Sequence, residues 1–253
     1  MQVLNKQITW FFRKKRSLGN FSIENSFAEM HAAWPQDSPK PKWLEANHFS
    51  EGLINRLRII WEIRQGKADV IHIAGDIHFA AIGLRRPKVI LTIHDLGFLN
   101  AHLGWKRALM KFFWVTWPLR FVDRLVTVSE ATKQSVLKEA PWYPEANITV
   151  IHTVVHKHYK PRVQLPENPK PIALHIGLAE NKNLRRHAEA LSGLDVQLLI
   201  IGEPDQEDEM MLRSNEIEYT WRSKLSNEEM QQAYAESDFL LFASTLEGFG
   251  MPI

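Results

Sequence analysis

A chain of 253 residues that is 45% hydrophobic and 24% charged can supply packed cores for one large or two ordinary domains, at roughly 100–150 residues each. Its formal charge of +2 argues against a general nucleic-acid binder, which normally carries a strongly basic face. The absence of cysteine excludes disulfides, thiolate catalysis and cysteine zinc sites, and it fits a reducing compartment.

Ile8-Thr-Trp-Phe-Phe12 runs directly into Arg13-Lys-Lys-Arg16. That apolar run is too short to span a membrane, and its charges lie on the wrong side for a secretory signal. The expectation is a cytoplasmic protein whose membrane contact, if any, is peripheral. Short apolar runs then recur in chain order: Val70 to Ala74, Val89 to Ile93, Leu125 to Val128, Ile148 to Ile151, Ile172 to Ile176, Val196 to Ile201 and Phe239 to Ala243. They are rich in β-branched residues and nearly continuous rather than alternating, which predicts strands buried on both faces. Helices are expected over Glu130 to Glu139, Asn183 to Leu191 and Asn227 to Glu236. Asn181 or Asn183 would cap the second and Ser226 the third. Strands alternating with helices imply a parallel, doubly wound α/β sheet.

Lys160 to Pro171 carries four prolines in a dozen residues. Proline at that density neither continues a helix nor joins a central strand, so a linker is expected over 161–170. It would separate an N-terminal Rossmann-like domain, 1–160, from a second over 171–253 that is shorter than the ~100–150 residues typical of a domain.

Several motifs sit where such sheets bind ligands, at the carboxyl ends of strands. Leu18-Gly19-Asn-Phe-Ser-Ile-Glu24 follows the first strand; Gly19 marks either an ordinary turn or amides aimed at an anion. His72, Asp76 and His78 end another strand and are candidates to line an acceptor site. Leu91-Thr-Ile-His94-Asp95-Leu-Gly97 places an imidazole and a carboxylate at the sheet edge. There His94 either caps its own strand or hydrogen-bonds a sugar, moves a proton or meets phosphate. Ala108 to Val122 is strongly aromatic, with Lys106, Arg107, Lys111, Arg120 and Arg124 around it. It reads either as a buried helix kinked at Pro118 or as a surface that docks on an anionic membrane near a lipid-linked acceptor.

His152, His156 and His158 precede the linker; zinc spacing is imaginable there, but solvent-facing loop histidines are the commoner case, and no metal is assigned. Leu174-His-Ile-Gly177-Leu-Ala-Glu-Asn-Lys182-Asn183-Leu184 reads as strand, glycine turn and helix start. Lys182 is either a solvated surface lysine or a cation set beside helix amides to neutralise a diphosphate leaving group. The last motif is Ser244-Thr-Leu-Glu247-Gly248-Phe249-Gly250-Met-Pro-Ile253. Two glycines around an aromatic ring allow close backbone approach to a ligand, and Glu247 could accept hydroxyls of a sugar or ribose. A plain strand-to-helix turn is the other reading.

Taken together, strand-His94-Asp95, Gly177-x4-Lys182-Asn183 and Glu247-Gly-Phe-Gly250 resemble the retaining GT-B glycosyltransferases of glycosyltransferase family 4, the group 1 glycosyl transferases. The resemblance implies two Rossmann-like domains facing a cleft that holds a nucleotide-diphospho-sugar. In that family a further, ribose-binding glutamate would fall beyond Ile253, so the second domain is expected to be incomplete. By resemblance, Gly19, Gly177, Lys182, Asn183, Glu247, Gly248, Phe249 and Gly250 bind the donor. His94, Lys182 and Glu247 would carry the catalytic roles, with no metal and no separate cofactor. Two departures stand out: Leu178 occupies a position where many members have arginine, with Arg185, Arg186 and Arg222 as unranked substitutes, and Ile151-His-Thr-Val-Val155 replaces Pro-Asn-Gly-Val.

The function implied is transfer of a hexose to a glycan or lipid-linked acceptor in polysaccharide biosynthesis. The alternative is an inactive fragment that binds nucleotide or a partner without transfer. A dinucleotide-dependent oxidoreductase would need a glycine fingerprint that the chain lacks.

Overall fold

The computed structural model describes residues 6–15, 22–155, 159 and 168–252. The chain divides into two units, Met1–His156 and Lys157–Ile253. The first runs β1 (Ile8–Phe12), α1 (Ser22–Ala32), β2 (Lys42–Glu45), α2 (Gly52–Gln65), β3 (Val70–Ile73), β4 (Lys88–Ile93), α3 (Gly104–Lys111), α4 (Trp117–Leu119), β5 (Arg124–Thr127), α5 (Glu130–Glu139) and β6 (Ile148–Val150). Its strands pair in parallel in the order β2-β1-β3-β4-β5-β6.

Alternation along β1 fills both faces of this sheet. Phe11 joins the main core with Ile73, Leu91, Ile93 and Leu125. Trp10 and Phe12 point the other way, against Phe27 of α1 and Ala74. Period-two side-chain direction makes this possible because Trp10, Phe11 and Phe12 are consecutive apolar residues. Phe12 stacks on Trp43 of β2 with ring centroids 3.9 Å apart.

The second unit runs β7 (Ile172–Ile176), α6 (Leu184–Leu191), β8 (Gln197–Ile201), α7 (Gln206–Ser214), β9 (Glu218–Arg222), α8 (Asn227–Glu236) and β10 (Phe239–Leu240). The strand order is β10-β7-β8-β9, again parallel. Ala173, Leu198 and Ile200 face α6 and α7, while Leu174 and Leu199 face Ala233 of α8. Ser226 and Glu229 form a reciprocal capping box that starts α8, as the sequence predicts for Ser226.

Three expectations need correction. The run from Phe239 to Ala243 is not one buried strand: only Phe239–Leu240 pairs with β7, at the sheet edge, and Phe239 is exposed. Asn183 stands at the start of α6 but does not cap it with its side chain. Its backbone is left-handed (φ 66°), and its side-chain amide instead bonds the Ala243 carbonyl at 3.0 Å.

The aromatic segment is neither simply buried nor simply exposed. A π turn, Phe112–Thr116, joins α3 to α4, and Val115, Pro118 and Leu119 are buried. Leu103, Trp105, Leu109, Phe112 and Phe113 are exposed. Pro118 has no N–H for the carbonyl of Trp114 four residues earlier. The buried His78 supplies that bond through Nδ1–H at 3.0 Å, so His78 braces the helix.

Candidate functional site

In the second unit, neighbouring parallel strands β7 and β10 deliver two loops to one sheet edge. Gly177, the first residue after β7, has φ 86°, which a side chain would strain. The aliphatic stem of Lys182 folds back over it, 3.3 Å from where a Cβ would sit. Lys182 Nζ then reaches Glu247 Oε1 at 2.6 Å. Backbone and amide bonds lace the loops together: Thr245 N–H donates to the Asn181 carbonyl at 2.9 Å, and Asn181 Nδ2 donates to the Leu246 carbonyl at 2.9 Å.

The sequence thus placed Lys182, Asn183, Gly177 and Glu247 in separate motifs, and the fold brings them together. Gly250 also has φ 86° and lies beside the Phe242 ring. Gly248 and Phe249 are half-buried in the same loop. The side chains of Lys182 and Glu247 are 22% and 24% exposed. Such a partly solvated pair is worth about 1 kcal/mol or less, so an anion can displace it cheaply.

Leu178 has a packing role. Its side chain covers Gly202 at the end of β8, where a Cβ would approach Leu178 Cδ1 to 2.8 Å. Of the arginines considered as substitutes, Arg222 is committed to Glu236 at 2.7 Å. Arg185 lines a hollow with Glu189 and Glu207, and α6 and α7 form its walls. Arg186 is exposed on α6.

Beneath this edge, His175 and His187 are buried with their Nδ1 atoms 2.8 Å apart. Burial, and secondarily the charge of His187, pushes His175 down to about 4. A pair this close holds together only if one Nδ1 carries a proton and the other does not.

In the first unit, β1, β3 and β4 are consecutive neighbours and end in Arg13, Asp76 and His94 at the same carboxyl edge. Arg13 Nε bonds Glu24 Oε1 at 3.0 Å, and its Nη1 bonds Asp76 Oδ2 at 3.1 Å. Burial alone would lower the Arg13 pKa, but Asp76 and Glu24 outweigh it and raise it.

His94 donates Nε2–H to the Ala74 carbonyl at 3.0 Å. Because a carbonyl only accepts, this leaves Nδ1 as the acceptor of the neutral ring. Burial lowers its pKa, opposed by the bond to Ala74 and by Asp95, Asp76 and Glu24. Asp95 closes its own loop by accepting Gly97 N–H at 2.8 Å. His72 bonds Thr92 Oγ1 at 2.7 Å, and burial, then the charge of His94, pushes it down to about 4. Its ring lies against Trp10 and Phe27, so it packs as much as it lines the edge.

Arg13 and Glu24 escaped the sequence reading of the site. Arg13 reads as part of a basic run and Glu24 as the tail of a glycine loop; only the fold joins them. Gly19, His156 and His158 lie outside the described residues, as does most of the proline-rich stretch. Among the described residues, no cluster of histidine and acidic side chains is arranged to hold a metal.

The profile of Glycosyltransferase Family 4 matches residues 21–158, more than half of the chain. The chain belongs to glycosyltransferase family 4. It is accordingly a glycosyltransferase. No curated protein matches it significantly.

Among solved structures, Anabaena HepE in complex with UDP and glucose is similar over 98% of this chain and 77% of its own, at 13% identity and a TM-score of 0.65. AviGT4, a glycosyltransferase involved in avilamycin A biosynthesis, is similar over 94% and 69%, at 12% identity and 0.56. S. aureus TarM, in a complex that includes UDP, is similar over 77% of this chain at 15% identity and 0.56, and the match spans 41% of TarM. At these identities the likenesses give the fold, GT-B, with two Rossmann-like units.

Proposed function

We propose that this glycosyltransferase moves a hexose from a nucleotide-diphospho-sugar to a glycan or lipid-linked hydroxyl, with retention at the anomeric carbon. The observation that carries the reading is the 2.6 Å Lys182–Glu247 pair, held between glycine turns at the carboxyl edge of a parallel sheet. A donor diphosphate would take Lys182 from its partner, and the amides at the start of α6 would add their dipole. Glu247, released, would accept hydroxyls of the sugar, with the amides of Gly248 to Gly250 beside it. By the family resemblance His94 would contact the donor sugar, offering Nδ1 to a hydroxyl. The HepE complex with UDP and glucose supports a uridine diphosphate sugar as the first donor to try.

No carboxylate of these loops stands as an obvious nucleophile, so the reading is front-face attack. The bond from the anomeric carbon to the phosphate oxygen breaks with its electron pair going to the diphosphate. The acceptor oxygen bonds the same face of that carbon, and its proton passes to the departing phosphate oxygen. Lys182 stabilises the charge that develops there. Since lysine and backbone dipoles offset the charge in this scheme, activity should persist in chelator.

The test is incubation with labelled uridine diphosphate hexoses and a panel of glycan and lipid-linked acceptors, with the product's anomeric configuration read by proton NMR. Retention with chelator-resistant transfer supports the proposal. An inverted product would overturn the mechanism. Nucleotide binding without hydrolysis or transfer would overturn the transferase role of this chain.

A further inference from the structure

The first unit carries an apolar surface that its own core leaves uncovered. On α2, Leu53, Ile54, Leu57 and Trp61 are each between 56% and 69% exposed. Their spacing of one, four and eight residues puts them on one helix face, while Ile59 and Ile63 occupy the buried face. On and beside α3, Leu103 and Trp105 are 85% and 72% exposed, and Leu109 and Phe112 are exposed as well. The two elements adjoin, because the Arg56 guanidinium lies 4.5 Å over the ring of Trp114 in the turn that continues α3.

Charge is distributed in one sense around these side chains. Neither the stretch 52–61 nor the stretch 103–120 contains an acidic residue. Arg107 and Lys111 are neutralised from behind by Glu139. Arg58, Lys106 and Arg120 remain exposed, and the Lys106 ammonium lies 6.0 Å from the centre of the Trp105 ring. Glu51 and Glu62 flank the α2 stretch, Glu62 being taken up by Asn47 N–H and His48, so cations predominate around the apolar side chains. Exposed leucine and tryptophan in mainly cationic surroundings match the boundary between headgroups and acyl chains of an anionic bilayer. A second copy of the same face would set cation against cation.

We propose that the exposed faces of α2 and α3 form a docking surface for an anionic lipid bilayer. Apolar side chains would enter the acyl boundary while Arg58, Lys106 and Arg120 meet lipid phosphates. The orientation is that of a protein lying on the membrane, since no helix among the described residues is long and apolar enough to cross it. This surface is independent of the donor-site reading, because binding is measured without any transfer.

The test is flotation of the full chain with phosphatidylcholine vesicles, with and without phosphatidylglycerol, at low and high salt. Binding is expected on the phosphatidylglycerol vesicles at low salt and to weaken with salt or without the anionic lipid. The Trp61→Ser, Trp105→Ser double variant should lose at least about tenfold in affinity. Lys106→Glu, at an exposed position that leaves the fold intact, should lose more than about fivefold. No binding to anionic vesicles, or binding that ignores both variants, would overturn the proposal. So would sedimentation as a dimer that the same substitutions dissociate.

Discussion

Both units bring charged side chains to the carboxyl edge of a parallel sheet, but they hold them under different constraints. In the first, Arg13 bridges Glu24 and Asp76, and the Arg13 and Glu24 side chains are only 12% and 11% exposed. One Glu24 oxygen, Oε2, is buried with no hydrogen-bond partner among the described residues. In the second, Lys182 and Glu247 form a single pair that is twice as exposed, on a loop whose glycines leave the backbone open. Asp76 is 52% exposed, so the buried part is the Arg13–Glu24 pair; such a pair fixes geometry whether or not a ligand is present, because opening it strands charge in a poor solvent. A partly solvated pair can change partners at little cost. The first edge is built as a frame and the second as a grip.

Breaking the frame should therefore cost stability. Arg13→Ala leaves Glu24 as a buried carboxylate without a cation, an arrangement that costs about 3–5 kcal/mol. Thermal or urea unfolding should show a loss of that order. A change below about 1 kcal/mol would mean that the network is ornamental and that the contrast between the two edges is false.

Breaking the grip should spare stability and remove activity. Lys182→Ala is expected to lower kcat by about 10²–10³ with a donor sugar, the range for removing one preorganised donor to a developing negative charge. Its unfolding free energy should move by about 1 kcal/mol or less. Equal losses in both variants and both measurements would erase the distinction.

The contrast between frame and grip also separates what can be read in the sequence from what cannot. Strands buried on both faces announce themselves: Val89 to Ile93 and Leu198 to Ile201 are nearly continuous apolar runs. The edge strands Lys42–Glu45 and Glu218–Arg222 were invisible because an edge needs only one buried face and tolerates charge along its length. The opposite error came at Phe239, where an apolar run suggests a longer and more buried strand than the sheet edge supports. Lys182 and Glu247 stood out because glycines flank them locally. Arg13 and Glu24 did not, and their link to Asp76 could not be read either, since it depends on β1 and β3 lying side by side. The face of α2 was equally silent, because an apolar stripe reads as core until the fold shows which side is covered.

Acid should affect both units, and in the same sense. His72 in the first and His175 in the second are each pushed down to about 4 from an ordinary 6.5, by burial before all else. A folded-state pKa below the unfolded one means that the unfolded chain takes up the proton first. Stability is then complete above about pH 6.5, falls as pH drops toward about 4, and changes no further from these groups below that. The slope should reach about 1.4 kcal/mol per pH unit for each histidine. Hydrogen exchange read separately over the two sheets should show His175→Gln flattening the acid response of the second sheet alone and His72→Gln that of the first. A response that stays steep in both variants would assign acid sensitivity to other groups.

The smallest effect tests whether the grip depends on its backbone. Gly177 sits at φ 86°, and an added methyl would press on the Lys182 stem at 3.3 Å. Left-handed backbone costs a side chain about 1–2 kcal/mol, so Gly177→Ala should lower stability by that amount. Its sharper consequence is positional, because the stem that must yield is the one that aims Lys182 at Glu247. Donor affinity should fall along with stability, whereas Gly193→Ala, also at positive φ but with no atom within 4 Å of an added Cβ, should lose the backbone term and keep the affinity. If both alanine variants bind donor equally well, the glycine serves only the turn, and the placement of Lys182 must come from the Asn181 and Asn183 bonds to the neighbouring loop.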